Sequence, residues 1–531
     1  MSSDNLNIKP EFGTIRGALW PIHSYELKKF LPMGAIMFFI LFNYTILRDT
    51  KDSLVITASI DGSAVIPFLK IGLVLPASIL FVVLYAKLAN MMDREKLFYT
   101  IVSSFILYFG IFAFFLYPNR ELIHPSPETI RTLKETYPHF QHIFPLWGTW
   151  MYSMFYVISE LWGSVMISLL FWQFANEITR TNEAKRFYGL FGLLANVSLI
   201  CSGFTVRYLS NIRQSLPPEV DAWGVSLNYM MTAVIVSGIS IMMIYRWMNI
   251  RVLPDPRYYE KAASLGNTKT TKPKLSVIES FKYIFSSKYL GLIAILIVGY
   301  GISINLVEVI WKGMLKEQYP NPNDYNSFMG AFSVITGIVT MTMIMIFKGI
   351  VRKFGWFTGA IMTPSVLLIT GALFYAFVLF QSHMVPVAAF FGTTTLFMAV
   401  ILGAIQNIAS KATKYSLFDP TKEMAYIPLD QELKVKGKAA VDVIGNSFGK
   451  AGGGMISGSL LVITAASNVM MIAPFLVFIV ISTTITWMFA VNNLSKLYNK
   501  ALQSPVKEVK QVHDDTDNRE TVMVNNAVLN S

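Results

Sequence analysis

The 531-residue sequence predicts an all-α integral membrane protein with twelve transmembrane helices in two six-helix halves. Three observations predict it. The composition is 53% hydrophobic but only 14% charged, against roughly 25% charged in a soluble globular chain, and mean hydropathy is +0.49. Apolar stretches of about 20 residues, the length that crosses a bilayer core as a helix, recur almost from end to end. They fall into two sets of six around one polar segment, residues 250–288.

The opening residues, MSSDNLNIKPEFGTIRGALW, carry early acidic side chains and lack an apolar run followed by a small-residue cleavage site. Residues 1–30 are therefore read as a cytoplasmic N-terminal segment, not a secretory signal or transit peptide. The N-terminal half, 31–249, has spans predicted near 31–49, 65–91, 98–117, 144–175, 187–209 and 226–248. The central loop, 250–288, contains the turn-forming strings LPDPRYYEK and GNTKTTKPK. The C-terminal half, 289–493, has spans near 289–312, 326–349, 357–380, 386–410, 438–466 and 471–493. Residues 494–531, with the polar run VHDDTDNRETVMVNN, are expected to form a cytoplasmic, disordered tail.

Placing the N-terminus in the cytoplasm puts the loops at 92–97, 176–186, 250–288, 350–356 and 411–437 on one side. Those loops hold most of the loop Lys and Arg, including Lys185, Arg186, Lys411, Lys414 and Lys422. The positive-inside rule then predicts both termini in the cytoplasm. The net charge of +12 follows from this bias and calls for no nucleic-acid partner. Cys201, the single cysteine, excludes an intrachain disulfide and a multi-cysteine metal cluster.

Ionisable side chains inside a span are costly and mark functional candidates. Four stand out: Lys70 in VIPFLKIGLVLP, Glu160 within Met151–Ala175, Glu308 in GISINLVEVIW and Lys450 in GNSFGKAGGG. Each could belong to a buried structural pair. As a set, two lysines and two glutamates over four spans point to a polar cavity for a charged solute, and ammonium groups suit phosphate. The glycines around Lys450 admit two readings, close approach of backbone to a ligand or close helix packing. NYTILRDTKDS, with Arg48, Asp49, Lys51 and Asp52 at the end of the first predicted span, reads either as a solvated cap or as a gate of exchangeable ion pairs. Lys312 and Lys316 stand at the matching place after the seventh span.

Other chemistries lack residues. GNSFGK has three residues between its glycines, Ala451 where a P-loop needs Ser or Thr, and a span around it, so it is not a P-loop. The six histidines (23, 124, 139, 142, 383 and 513) lie outside the predicted span interiors, leaving no metal or nucleophilic constellation. No cofactor is expected.

Long strings carry a resemblance over roughly residues 15–500: LWPIHSYELKK, FNYTILRDTKDSLVITA, ELWGSVMISLLFWQFANEIT, AKRFYGLFGLLAN, YGISINLVEVIWK and KYSLFDPTKEMAYIPLDQELKVKGKAAVDVIG. The sequence resembles the nucleotide transporter (ATP/ADP translocase) family of plant plastids and of chlamydia-like and rickettsia-like intracellular bacteria. The resemblance implies a fold similar to the major facilitator fold, alternating access, and import of host ATP in exchange for ADP and phosphate. It implies transport roles for Lys70, Glu160, Glu308 and Lys450, and cavity or gate positions for Arg48, Lys51, Asn196 and Asn305. It implies nucleotide substrates, a monomer in the bilayer and, without a transit peptide, a bacterial inner membrane. One departure bears on specificity: where the family commonly reads GKSGG, this chain has GKAGG, so Ala451 removes a hydroxyl beside Lys450. Proton-coupled import of other nucleotides is the alternative; a membrane-embedded envelope-synthesis enzyme or a structural scaffold are more distant ones.

Overall fold

A computed structural model describes residues 16, 20–59, 61–258, 287–347, 349–429 and 437–503. Among them are helices and turns and no strand. Hydrocarbon offers no water to backbone N–H and C=O groups, so each apolar run must satisfy its backbone within itself, as a helix does.

Twelve long helices result: α1 (Leu27–Ala58), α2 (Gly62–Met91), α3 (Arg94–Leu116), α4 (Trp150–Ile178), α5 (Thr181–Asn211) and α6 (Ala222–Arg251). The second set is α7 (Lys288–Gln318), α8 (Pro322–Phe347), α9 (Ile350–Leu379), α10 (Thr395–Ala425), α11 (Lys438–Thr464) and α12 (Ala473–Gln503). Eleven are long and apolar enough to cross a membrane by length and composition. α11 has 27 residues, with its apolar part at Ala451–Thr464. Residues of the predicted central loop from 259 to 286, and of the predicted tail from 504 on, lie outside the described residues.

Local chemistry sets several helix ends. Asp221 caps α6 by accepting from Gly224 N at 2.9 Å, and Thr394 caps α10 by accepting from Phe397 N at 3.1 Å. Gly355, at φ 84°, bends α9 where a Cβ would be strained. α2, α3, α4 and α10 each contain a π-helical stretch: Leu69–Val74, Phe112–Leu116, Gly163–Phe171 and Lys414–Phe418. Such widened turns are rare and gather at functional sites.

Several helices outrun their predicted spans: α7 continues to Gln318, and α12 continues to Gln503, so that 494–503 of the predicted tail is helix. α1 continues from Asp49 to Ala58, and α10 from Ser410 to Ala425, so that Lys411 and Lys414 stand on a helix and not in a loop. Hydropathy breaks at charged residues. The helix does not, where those charges find partners: Lys414 pairs with Asp419 at 2.8 Å.

Buried apolar side chains form two cores. One runs from Ile22 to Met248; the other from Tyr289 to Tyr498, joined by Ile56, Ala64 and Ile66 from the far ends of α1 and α2. α5 lies along α8, and the two backbones meet at Gly203 and Gly330. A Cβ on Gly203 would stand 2.7 Å from Gly330 O and 2.8 Å from Val334 N. Toward the face away from the N-terminus, hydrogen bonds join the two halves. Asn326 accepts from Ser53 at 2.9 Å and donates to Ser210 at 3.1 Å, and Asn323 donates to Ser226 at 2.7 Å.

The α3–α4 connection covers that same face. It contains a helix, Pro127–Thr136, capped by Ser126, whose Oγ accepts from Thr129 N at 3.3 Å. From it Lys134 reaches Asp61. His142, 1% exposed, places Nδ1 3.0 Å from Asp61 Oδ2 and Nε2 2.8 Å from Ala466 O. Both ring nitrogens thus lie within hydrogen-bond distance of oxygens. Gln141 Nε2 donates to Ala465 O and Ala466 O, at 3.2 Å each, so the connection is fastened to the α11–α12 turn of the other half.

Candidate functional site

The charges of NYTILRDTKDS lie within α1, where Asp49, Thr50, Lys51, Asp52 and Ser53 are all buried. Five consecutive residues point in every direction around a helix, so at this level α1 is enclosed on all sides. A solvated cap is excluded. Buried charges must be paired, and these are.

Five side chains form one continuous chain of ion pairs. Glu160 Oε1 on α4 lies 2.9 Å from Lys51 Nζ, which lies 2.9 Å from Asp52 Oδ1. Asp52 Oδ2 lies 2.8 Å from Lys312 Nζ on α7, and Lys312 Nζ lies 2.9 Å from Glu308 Oε1 one turn back. Exposure rises from the centre outward: the Asp52 side chain is 2% exposed, Lys51 3% and Lys312 5%, whereas Glu160 is 32% and Glu308 25%. Three carboxylates meet two ammonium groups, so the chain has one negative charge in excess. Lys51 also stands over the Tyr156 ring at 3.7 Å.

The arrangement follows from helix periodicity. Glu308 and Lys312 share a face of α7 at i, i+4 spacing. Lys51 and Asp52 diverge by about 100° around α1, enough to meet α4 on one side and α7 on the other. Beside the chain, Arg48 donates to Asp49 at 3.0 Å and to Ser333 Oγ of α8 at 2.8 Å, and Ser333 donates to Asp49 at 2.9 Å.

Lys70 stands in the π-helical stretch of α2 and donates to Asn305 Oδ1 of α7 at 3.0 Å. Asn305 Nδ2 in turn donates to Gly301 O at 2.7 Å. Among the described residues Lys70 has no carboxylate at ion-pair distance, in contrast to Lys51 and Lys312. Asn196 stands apart. Its side chain donates one turn back to Gly192 O at 3.0 Å, and its carbonyl faces Gly337 of α8. Lys450 is on α11; its side chain lies outside the described residues.

The glycines around Lys450 serve helix packing. A Cβ on Gly453 would meet Asn305 Cβ at 2.6 Å, one on Gly458 would meet Pro67 Cβ at 3.3 Å, and one on Gly301 would meet Gly449 Cα at 2.5 Å. α11 is thereby pressed against α7 on one side and α2 on the other, as small residues permit between membrane helices.

Sequence reasoning named Lys70, Glu160, Glu308, Arg48, Lys51 and Asn305, and the structure brings all six to one region at the boundary of the halves. It missed Asp52 and Lys312 as the link between halves, and it assigned Lys411 to a loop. Lys312 had a signal, the i, i+4 spacing from Glu308. Among the described residues no group of three or more His, Cys, Asp or Glu is placed to hold a metal ion. The arrangement suits a mobile anion: lysines held by carboxylates can exchange those partners for phosphate oxygens without leaving low dielectric.

Comparison with known proteins agrees in kind. A family model described as the TLC ATP/ADP transporter matches residues 6–498. The chain is 48% identical over 507 residues to the "ADP,ATP carrier protein 1" of Chlamydia pneumoniae, covering 95% of this chain and 98% of that protein. It is 44% identical over 494 residues to the protein of the same name from Rickettsia bellii, covering 93% and 98%. It is 48% identical over 481 residues to the chloroplastic "ADP,ATP carrier protein 2" of Arabidopsis thaliana, covering 91% and 76%. Among solved structures, a bacterial homologue of the iron transporter ferroportin in an inward-facing state superposes with TM-score 0.58 at 11% identity, covering 89% of this chain and 100% of that one. A D-xylose–proton symporter does so with TM-score 0.51 at 13% identity, covering 89% and 98%. At such identities the likeness is one of fold.

Proposed function

Because the chain belongs to the TLC ATP/ADP transporter family, we propose that it exchanges ATP for ADP across a bacterial inner membrane by alternating access. The observation that carries this reading is the chain Glu160–Lys51–Asp52–Lys312–Glu308, in which two buried lysines are shared by carboxylates from both halves.

In this mechanism Lys70 and Lys450 hold phosphate groups from opposite halves. Glu160 and Glu308, at the exposed ends of the chain, hold Lys51 and Lys312 until nucleotide arrives and take them back when it leaves. Arg48 and Lys51 contribute to the gate, and Asn305 and Asn196 to the walls. The positive-inside bias supports cytoplasmic termini, which would make the fastened face the outer one. Phosphate moves with ADP, and the transporter works as a monomer.

Uptake of labelled ATP by bacterial cells producing the chain, followed by efflux on addition of external ADP, tests this. ADP-stimulated efflux of preloaded label is the expected result, and no uptake of any nucleotide would sink the reading. A second reading, proton-coupled import, draws on the partial exposure of Glu160 and Glu308, which leaves two carboxylates reachable by protons. Under it a protonophore abolishes uptake and external ADP drives no exchange.

A further inference from the structure

The wall contributed by α10 carries a cation that hydropathy alone assigns to a loop. We propose that Lys411 is a phosphate-contacting residue of the transport site, a second cation of the C-terminal half beside Lys450. The proposal rests on the nucleotide-exchange reading above and adds where the polyphosphate end of the substrate is held.

Three observations support it. First, Lys411 stands midway along the continuous helix α10, with Nζ 5.0 Å from the centroid of Phe332. Phe332 adjoins Ser333, the hydroxyl that receives Arg48 and donates to Asp49. The charged groups that act most strongly on Lys411 are Glu308, Arg48, Lys312 and Asp49, which are groups of the site itself.

Second, Lys411 lacks a counter-ion among the described residues. The lysines beyond it on α10 have theirs: Lys414 pairs with Asp419 at 2.8 Å, and Lys422 with Glu423 at 3.5 Å. An ammonium within a membrane span is costly unless neutralised, and a ring face supplies only part of the need. Lys411 and Lys70 thus share one condition, a cation from each half with no carboxylate in contact.

Third, the position is built. Glu160 comes three residues before the π-helical stretch Gly163–Phe171 of α4, and Lys411 three residues before the stretch Lys414–Phe418 of α10. α4 and α10 are the fourth helices of their halves. The same backbone device therefore presents a carboxylate from one half and an ammonium from the other. Since Lys312 already has Glu308 on its own helix, the ammonium at 411 is left for the substrate.

The test uses the purified full-length chain and equilibrium binding of ATP, ADP, AMP and inorganic phosphate. Lys411→Gln should weaken ATP binding by about tenfold or more, the scale of a lost charge-assisted hydrogen bond. ADP should lose less, AMP should stay within about twofold, and Lys411→Arg should stay close to wild type. Equal weakening of all three nucleotides, or none, would overturn the proposal. So would a variant that loses only competition by inorganic phosphate, which would assign Lys411 to a separate phosphate site. If the wild-type chain binds no nucleotide, the exchange reading fails and this proposal with it. Wild-type binding with an unaltered variant removes only the proposal. Should Lys411→Gln fail to fold, amine-selective labelling of the wild-type chain decides: saturating ATP should protect Lys411 and AMP should not, and labelling indifferent to ATP would overturn the assignment.

Discussion

Asp52 and Lys312 face each other across the boundary of the two halves, carboxylate to ammonium at 2.8 Å, each with a second opposite charge behind it. The pair is the only point at which the ion-pair chain passes from one half to the other, so its loss should act on closure more than on either half alone.

Asp52→Asn is expected to open the fastened face. The substitution leaves Lys51 only Glu160 and Lys312 only Glu308, so it removes the link between the halves while each ammonium keeps one carboxylate. The cost therefore falls below the about 3–5 kcal/mol of stranding a buried charge outright. In a Cys201→Ser background, a cysteine at Ser63, which is 1% exposed, reports the change. Its alkylation by a membrane-impermeant thiol reagent should rise by at least about tenfold in the Asp52→Asn chain. An unchanged rate would show that closure does not depend on the pair.

Combining substitutions should restore what one removes. Lys312→Met alone strands Glu308 and leaves Asp52 to share Lys51 with Glu160, whereas Lys312→Met with Glu308→Gln and Asp52→Asn removes the charges together and leaves Lys51 with Glu160. Thermal denaturation should place the triple variant above the single one, with a coupling of about 1 kcal/mol or more. Additive losses would contradict a shared network.

Gly203 should not tolerate a methyl group. Its added Cβ would meet backbone atoms of α8, which cannot rotate away, so Gly203→Ala is expected to cost about 1–3 kcal/mol. Gly189, on the same helix with nothing within 4 Å of a built Cβ, is the control, and Gly189→Ala should be neutral or slightly stabilising. Equal melting temperatures for the two variants would refute the close crossing.

The Asp61 contact should resist mild acid. Burial pushes the Asp61 carboxyl up, but the hydrogen bonds from His142 and Lys134 outweigh it and hold the group below the usual carboxylate range. Stability from a depressed carboxyl is fully present above its unfolded value of about 3.9 and is lost as pH falls through the lower folded value. The difference in melting temperature between wild type and Asp61→Asn should therefore be steady from pH 7 to about pH 5 and shrink below about pH 4. A difference that vanished by pH 6 would contradict the pairing.

The bundle was legible in the sequence because hydropathy reports the solvent a segment needs, that solvent allows only helices and closed barrels, and apolar runs of about 20 residues fit helices. Glu160, Glu308 and Lys70 were legible for the same reason, as charges in long apolar runs. The rest was hidden by that logic. Arg48 to Asp52 look like a helix end only if charges mean water, and the pairing that lets α1 continue comes from α4, α7 and α8, remote in sequence. Lys411 was lost likewise, since a run of lysines at a span border reads as the positive-inside signal. The Pro127–Thr136 helix was marked locally by Ser126 and Pro127, a cap and first-turn pair that a search confined to apolar spans passes over.

Lys70, hydrogen-bonded to a neutral amide rather than to a carboxylate, bears on how little the protein can leak. If Lys70 holds phosphate as proposed, closure around an empty site would leave its ammonium one neutral amide oxygen, 3.0 Å away, in place of water. An empty carrier would then cross less readily than a loaded one, and idle return trips would be few.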